Sequence, residues 1–597
     1  MITNEILKNI KHVHFIGIGG SGMYPLVQIF HSKGYFITGS DNNETETLEA
    51  VRKLGIEVFL GQRAENIKGA DLIIYTAAIM ADNPELIAAK ASGAICCERA
   101  EILGLVTSWY TNALCVSGTH GKTTTSSMLT QIFVQEGTDL SCVIGGKLPS
   151  IGGSGKAGSS QTMVCESCEF EDHFLRLFPD VSIILNVDAD HLEYFKNIEN
   201  IIKSFHKFAT MASKAVIYNG DDANTLKAVE GVDKEMISFG WDKKNDYSAV
   251  IKSKKGLQTR FELYHKGEFV RELTIHVPGD HNVMNALAAI AAARYSGVSW
   301  EGIEKGLDTF FGAIRRFEKI AEVKGVTIVD DYAHHPKEIE CTLKAAKGLD
   351  FNRVWAVFQP FTYSRTKILM NDFVKALSIA DIAVVTDIMG SREKNTDGVY
   401  AEQLAEKIPN AVWFKTDHEL VDKQTAQQKE YNFSQCIDYI KKNCKEGDLV
   451  ITLGCGDVYK LAKRLAKASY QDTVCFTDPK TIAQYYMEDL RHEKQEHMKL
   501  LMLNSKAKLL GETNISKGTV NASLITPREL FIEALQKNAV SIIILHNHPS
   551  GDPTPSREDM LTTKRILDAG ALIGIDLLDH IIIGNNCYMS FREEGML

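Results

Sequence analysis

Short apolar runs punctuate the chain at 13–18, 72–76, 114–117, 182–186, 326–329, 354–358, 382–386 and 449–453, and helical spacing fills many of the intervals between them. Strands alternating with helices in this way predict an α/β fold with largely parallel sheets. No internal repeat is visible. Beyond a helical stretch at 458–467 the pattern changes: 468–479 reads as a linker, and 480–597 opens with a charged helix, continues with short strands and ends with a strand at 581–583. Boundaries near 108, 312 and 467 divide the chain into regions 1–108, 109–312 and 313–467, the linker 468–479 and a separate small α/β module, 480–597. At ~150 residues per domain, 597 residues predict about four domains.

Composition narrows the class. Hydrophobic residues make up 44% and charged residues 24%, a globular and not a disordered profile. Lys and Arg number 66 against 76 Asp and Glu, a net charge of -10, so no basic excess suggests nucleic-acid binding. The opening residues MITNEILK have no charged region followed by an apolar one, so no secretory leader is expected, and no run approaches the ~18 apolar residues of a membrane span. The 12 cysteines are scattered through apolar runs, as reduced core thiols are, which makes the cytoplasm the expected compartment. Cys165 and Cys168 form a lone CxxC that reads as incidental.

Two glycine-rich turns carry candidate chemistry. The first, Gly17-Ile-Gly19-Gly20-Ser21-Gly22, follows a strand and opens a helix, the arrangement that lets backbone approach a pyrophosphate. A second strand ends in Ser40-Asp41, whose acid is placed to take a ribose hydroxyl. This turn alone fits an NAD oxidoreductase as well as a nucleotide-diphosphate binder. The second, Gly118-Thr119-His120-Gly121-Lys122-Thr123-Thr124, joins the run at 114–117 to a helix with Met128, Leu129, Ile132 and Phe133 on one face. Strand, glycine loop, Lys-Thr and helix form a phosphate clamp, here in a form shorter than the full Walker spacing because Val116 stands where that spacing has glycine. Such a clamp needs Mg²⁺ and ligands beside it. Glu166 ends one apolar run, and Asn186-Val-Asp-Ala-Asp190-His191 follows another. His191 taken alone reads more readily as a helix-start or packed residue than as a ligand.

Read in order, GIGGSGM, YTAAIMADNPE, GTHGKTTT, LNVDADHLEYF, VPGDHNVMNALAAIA, RRFE, DDYAHHPKEI, FQPFTYSRT and LGCGD resemble the Mur ligases over about residues 10–465, and within them the branch that joins L-alanine to UDP-N-acetylmuramate. The resemblance implies a three-domain enzyme of peptidoglycan precursor synthesis: a Rossmann-like UDP-binding domain, a central P-loop ATPase domain and a Rossmann-like C-terminal domain. It assigns the first glycine turn (Gly17, Gly19, Gly20, Ser21, Gly22 and Asp41) to UDP and not to NAD. It implies that ATP activates the sugar's carboxylate as an acyl phosphate, which the amine of L-alanine attacks. Lys122 would then hold the γ-phosphate, Thr123 and Glu166 one Mg²⁺, and His191 a second. The resemblance places His281, Asn282 and Asn285 at adenine, Arg316 on the ATP phosphates, Asp331 on the ribose, and Tyr332, His334 and Arg365 at the L-alanine end. Asp280 and Asn282 also read as helix caps. Two departures stand out: Phe361 replaces a histidine common in the family, and the acid-rich Mg²⁺ strand reads Glu166-Ser-Cys-Glu169-Phe-Glu171, with Glu169 the fallback ligand. The branch that ligates a recycled tripeptide is the closest competing reading.

The tail carries a third motif. The run at 540–545 leads into His546-Asn-His548, followed by Ser556 and Asp559. Alternate residues at a strand end aim two imidazoles the same way, and two His with one carboxylate leave the open position of a catalytic Zn²⁺. Glu496 is the candidate general base. A polar turn with a capping box at Ser556 and Asp559 is the alternative. The spacing is that of the JAMM metallo-isopeptidases, and HNHPSGDPTPS with DHIIIG resembles the RadC family over about 480–595. A zinc hydrolase of unassigned substrate is the implied activity. A rival reading makes this tail the main business, a zinc peptidase or DNA-associated protein with a degenerate ligase part; the complete nucleotide motifs argue against it.

Overall fold

The computed structural model describes residues 2–597 except 77–78, 391–392, 397, 417, 421–428, 472–475, 477, 492, 494, 518–526 and 585–586. Part of the expected linker, 472–475 and 477, and two residues of the YTAAIMADNPE motif therefore lie outside the described residues. Two compact units are present. One contains Met1–Ile320, Val326–Asn432 and Lys445–Tyr459; the other contains Ala321–Gly325, Phe433–Cys444 and Lys460–Leu597.

The first unit holds three large sheets, each built around the expected apolar runs, and a two-stranded one, His418–Leu420 with Lys429–Tyr431. The N-terminal sheet is parallel throughout, in the order Glu57–Leu60, Phe36–Asp41, His12–Ile16, Leu72–Tyr75, Ile95–Glu98. The chain reverses its winding direction beside His12–Ile16, so the carboxyl end of that strand is a topological switch point, where α/β folds place ligands. In the central sheet, Asn112–Ser117 lies between Val181–Ile184 and Thr162–Glu166, all parallel. This order brings the loops after three strands to one edge. The sheet continues through Ala215–Asn219 and Glu235–Gly240 into an antiparallel extension, Tyr247–Lys255, Gln258–His265 and Glu268–Ile275. The third sheet runs Val326–Asp331, Asp448–Leu453, Arg353–Phe358, Ile382–Thr386, Ala411–Phe414, again parallel.

Helix Asp280–Tyr295 positions the central site. Asn282, Val283 and an unbroken series from Asn285 to Ala293 are buried, so the helix is covered all round, as an element inside a core must be. Its alanines keep side-chain volume small, which lets it lie against helix Lys122–Gln135 and the sheet together.

The second unit contains a mixed sheet, Leu509–Lys517, His497–Leu503, Ser541–Asn547, Asp576–Ile583, Tyr588–Ser590. Its central strands are nearly continuous apolar runs buried on both faces. Helix Arg557–Ile573 packs on it and ends at Gly574 in the left-handed conformation. The helix expected at 458–467 runs Val458–Gln471.

Candidate active site and candidate metal centre

The first glycine turn follows His12–Ile16 directly, and Gly17 takes a φ of 84°. The main-chain N–H groups of Gly17 and Ile18 donate to the Ser40 carbonyl. Asp41 is the last residue of its strand, one step earlier than a loop acid would be, and its Oδ2 accepts from the Gly19 N–H at 3.0 Å. The carboxylate that the sequence offered to a ribose braces the turn. A Cβ on Gly19 would lie 3.0 Å from that oxygen and 2.9 Å from Leu48. The helix starts at Tyr24, so Ser21 and Gly22 lie in the turn itself. The Arg99 guanidinium approaches Gly22.

In the second turn Gly118 and Gly121 have φ values of 140° and 87°. Gly121 caps helix Lys122–Gln135 with no side-chain hydrogen bond. A bare helix N-terminus after a glycine loop is suited to anions. The Lys122 ammonium donates to the carbonyls of Gly118 at 2.6 Å and Thr119 at 3.1 Å, and its ion pair with Glu169 closes at 2.9 Å with both side chains largely buried. Thr123 Oγ1 donates to Glu166 Oε1 at 3.1 Å, and the Gly145 N–H donates to Glu166 Oε2 at 2.7 Å. The two acids of the departing motif thus separate by partner: Glu166 faces the threonine hydroxyl, and Glu169 faces the lysine. A carboxylate beside a threonine hydroxyl is a hard oxygen donor set, which fits Mg²⁺.

His191 lies in the segment after Val181–Ile184, with φ 51°, and its ring meets that of Phe170 at 4.7 Å between centroids. Phe170 directly follows Glu169, so His191 stands beside the turn that holds Lys122. On the same loop, Asn186 Oδ1 accepts from the His120 N–H at 2.8 Å, and the Asp188 N–H donates to Thr119 Oγ1 at 2.9 Å. Lys122, Glu166 and His191 are thereby gathered at adjoining loops on one sheet edge.

Asn282 and Asn285 are buried on helix Asp280–Tyr295. Asn285 Nδ2 donates to Asn282 Oδ1 at 3.0 Å, and Asn282 Nδ2 donates to the Pro278 carbonyl at 2.6 Å. Neither Asp280 nor Asn282 is the cap that their residue types suggested; Gly279 occupies that position without a side-chain bond. A Cβ on Gly121 would lie 2.4 Å from Asn285 Oδ1, so the asparagine packs directly on the phosphate-clamp turn. His281 folds back on Gly279.

In the third sheet's region, Asp331 Oδ2 accepts from the Phe317 N–H and Oδ1 from the Ala333 N–H, both at 2.8 Å. Burial raises its pKa to about 6 despite those bonds and the nearby Arg316. Its carboxylate holds the segment that carries Arg316, a structural role apart from the ribose contact that the family resemblance implied. Arg316 lies 5.8 Å from the Tyr332 ring and Arg315 5.1 Å. His334 Nδ1 is 3.1 Å from the Tyr332 carbonyl, and burial followed by Glu338 sets its pKa, with a net lowering. Arg365 is close enough to influence His334, and its Nη1 is buried with no hydrogen-bond partner among the described residues. Cys165 is buried and Cys168 exposed, consistent with an incidental CxxC.

In the second unit, one ligand atom each from His546, His548 and Asp559 lie within 4.8 Å of one another. His546 Nε2 is 3.1 Å from His548 Nε2 and 3.3 Å from Asp559 Oδ1, and His548 Nε2 is 3.4 Å from Asp559 Oδ2. The capping box is also real: the Ser556 hydroxyl and N–H both donate to Asp559 Oδ2, and the Asp559 N–H donates back to Ser556 Oγ. The two readings of Ser556 and Asp559 are compatible, because the cap orients the carboxylate whose Oδ1 faces His546. Three convergent donor atoms of this kind fit a divalent cation. The Asp559 carboxylate raises the pKa of His548. Glu496 immediately precedes strand His497–Leu503 and acts electrostatically on His548. Asn547, between the two histidines, accepts from the His497 N–H at 2.8 Å and donates to the carbonyls of Glu493 and Gln495 at 3.1 Å. It ties the Glu496 segment to the histidine strand, a function that nothing in its sequence setting disclosed. His580 was also missed: its Nε2 lies 2.8 Å from His546 Nδ1.

Four family models match successive parts of the chain: the Mur ligase family catalytic domain over 12–110, the Mur ligase middle domain over 116–293, the Mur ligase glutamate ligase domain over 315–456, and the RadC-like JAB domain over 476–596. A UDP-N-acetylmuramate–L-alanine ligase from Caldanaerobacter subterraneus subsp. tengcongensis is 40% identical over 462 residues, covering 77% of this chain and 98% of the relative. A ligase of the same name from Acetivibrio thermocellus is 41% identical over 463 residues, covering 76% and 96%. The crystal structure of the UDP-N-acetylmuramate–alanine ligase of Thermotoga maritima is similar with a TM-score of 0.63 at 27% identity, over 78% of this chain and all of that one. A murein peptide ligase from Psychrobacter arcticus shares the fold, with a TM-score of 0.56 at 24% identity over 77% of this chain and 98% of that one. The chain belongs to the Mur ligase family, among the UDP-N-acetylmuramate–L-alanine ligases, and carries a RadC-like JAB domain after its ligase region.

Proposed function

We propose that this chain uses ATP to join L-alanine to the lactyl carboxylate of UDP-N-acetylmuramate, in peptidoglycan precursor synthesis. The observation that carries the reading is the cluster at the start of helix Lys122–Gln135, where Lys122 and Thr123 meet Glu169 and Glu166 beside a bare helix N-terminus. A carboxylate is a poor acyl donor. Transfer of the γ-phosphoryl group to it, with ADP as leaving group, gives an acyl phosphate; the neutral amine attacks the acyl carbon, a proton leaves the nitrogen, and phosphate departs. Catalysis of this kind is positioning plus stabilisation of spread negative charge. Lys122 would exchange its carbonyl and Glu169 contacts for phosphate oxygens. Thr123 and Glu166 would hold Mg²⁺, with His191 toward a second ion, and bound Mg²⁺ neutralises phosphate charge. Asn282, Asn285 and His281 would line the adenine, Arg316 and Asp331 the phosphates and ribose, and the first glycine turn with Asp41 the uridine diphosphate. Arg365, with Tyr332 and His334, would take the alanine carboxylate.

Phosphate release from ATP should require both UDP-N-acetylmuramate and L-alanine. Turnover indifferent to either substrate would sink the reading. Greater turnover with a murein tripeptide in place of L-alanine would favour the recycling branch, which the names of the relatives sharing about 40% identity do not support.

The second unit is proposed as a zinc-dependent hydrolase module. His546, His548 and Asp559 would hold the ion and Glu496 would act as general base; bound zinc supplies Lewis acidity and makes water acidic. Elemental analysis of the purified chain should give zinc that is lost in His546→Ala.

A further inference from the structure

We propose that His580 and Thr563 form a tautomer lock that presents the bare Nε2 of His546 to a divalent cation. The inference rests on reading His546, His548 and Asp559 as a metal site, and it concerns residues outside that set. A main-chain carbonyl can only accept a hydrogen bond. The Asp559 main-chain carbonyl lies 2.6 Å from Thr563 Oγ1, one helical turn later, so the single hydroxyl proton of Thr563 is directed there. Thr563 Oγ1 lies 2.6 Å from His580 Nδ1, and with its proton committed it accepts from Nδ1–H. A neutral imidazole protonated at Nδ1 is bare at Nε2. His580 Nε2 therefore accepts from His546 Nδ1–H at 2.8 Å, which leaves His546 bare at Nε2. That nitrogen is the one facing His548 Nε2 and Asp559 Oδ1.

His580 is held to this role. It is completely buried, and its ring stacks on Phe591 at 4.8 Å with planes 11° apart. Its main-chain N–H donates to Asp579 Oδ1, and Asp579 Oδ2 accepts from the Ser590 hydroxyl. Helix Arg557–Ile573 supplies both the carboxylate of Asp559 and the hydroxyl of Thr563, at positions four apart on one face. Without the hydroxyl, His580 is free to carry its proton at Nε2. His546 must then put a proton on the nitrogen that faces the cation. His548 has its own arrangement, with Nδ1 at 2.8 Å from the Asp552 carbonyl, which fixes its Nε2 toward the site independently. His580 and Thr563 are thus positioning residues that act through His546.

The test uses the full chain stripped of metal and titrated with Zn²⁺ against a chromophoric chelator. Thr563→Val, which keeps shape and removes the hydroxyl, should bind Zn²⁺ at least ~10-fold more weakly, the range seen when outer-shell partners are removed. Thr563→Ser should bind within about threefold of the parent, because it restores the same proton arrangement. His580→Phe, which keeps the stack on Phe591 and removes the acceptor, should lose affinity as Thr563→Val does. Parent-like affinity in both Thr563→Val and His580→Phe would overturn the lock, as would an equal loss in Thr563→Ser, which would assign the effect to packing. Co²⁺ loading provides a second readout: the visible spectrum of Thr563→Ser should match the parent and that of Thr563→Val should not. If the parent and His546→Ala bind Zn²⁺ alike, the metal-site reading itself fails, a result distinct from failure of the lock.

Discussion

The buried Nη1 of Arg365 has no hydrogen-bond partner among the described residues, and an unmade bond on a buried charged group costs free energy until a ligand makes it. A small carboxylate satisfies a guanidinium through two parallel N–H bonds, which a lysine cannot reproduce. Arg365→Lys should therefore raise KM for L-alanine by roughly tenfold to a hundredfold, from the ~1.5–3 kcal/mol of a hydrogen bond to a charged group. KM for ATP should move little. Steady-state kinetics with each substrate varied in turn check this, and an unchanged alanine KM would remove Arg365 from that pocket. Asp331 gives a prediction in pH. Burial raises its folded pKa to about 6, above the ordinary ~3.9 of the unfolded chain. The folded state therefore holds the proton more tightly. This contribution to stability is complete below pH ~4 and disappears as pH rises through about 6, with a magnitude on the order of 3 kcal/mol. Denaturation of the parent and of Asp331→Asn across pH 4–7 should show the difference in slope. At this scale the sequence was informative wherever a residue sat in a local motif, as Lys122 and Thr123 do. It was silent where the role depends on contacts across the fold. Glu169 was legible only as a fallback metal acid because its partner, Lys122, is 47 positions away. His580 was hidden in an apolar strand whose pattern gives no sign of a hydrogen-bonded imidazole.

Strand, strand and helix are joined beneath the first glycine turn by a buried polar cluster. His14 Nε2 meets Glu85 Oε1 at 2.9 Å, His14 Nδ1 meets Thr38 Oγ1 at 2.8 Å, and the Ser40 hydroxyl donates to Glu85 Oε2 at 2.6 Å. The side chains of His14 and Glu85 are fully shielded from solvent. Ser40 is also the residue whose carbonyl receives Gly17 and Ile18, so helix Pro84–Ala91 is connected through Glu85 to the turn expected to hold uridine diphosphate. Removing one partner of a buried hydrogen-bonded cluster leaves the others unsatisfied, at ~1–3 kcal/mol for each group left without a bond. Glu85→Ala should lose about that much in urea denaturation, and Glu85→Gln, which retains hydrogen-bonding capacity, should lose less. A change under ~1 kcal/mol in Glu85→Ala would show that the cluster is not a structural tie. The strands carrying this cluster were readable because parallel strands buried on both faces are near-continuous apolar runs. The antiparallel extension Tyr247–Ile275 was not. Its strands carry exposed polar and charged residues between the buried ones, as in the pattern of Tyr247–Lys255, so no apolar run marks them.

On the scale of the whole chain, the ligase candidates, the proposed Mg²⁺ ligands among them, belong to one compact unit and the candidate zinc ligands to the other. Separate cores imply separate chemistry unless the activities are coupled. The ligase cluster needs Lys122, whose three ammonium protons are directed to Gly118, Thr119 and Glu169, and no ligand of the second centre enters that set. The second centre needs His548, whose ring nitrogens face Asp552 and the His546–Asp559 pair. A reciprocal pair of variants follows. Lys122→Ala should abolish phosphate release dependent on UDP-N-acetylmuramate and L-alanine while keeping the bound zinc of the parent. His548→Ala should lose that zinc while keeping ligase turnover within about twofold, a difference of ~0.4 kcal/mol in barrier. Removing metal with a chelator cannot substitute for His548→Ala, because it would also withdraw the Mg²⁺ that ATP chemistry requires. Loss of ligase turnover in a folded His548→Ala chain would mean that the metal centre acts on the ligase, and the JAB domain would then be a regulator of amide-bond formation and not an independent hydrolase.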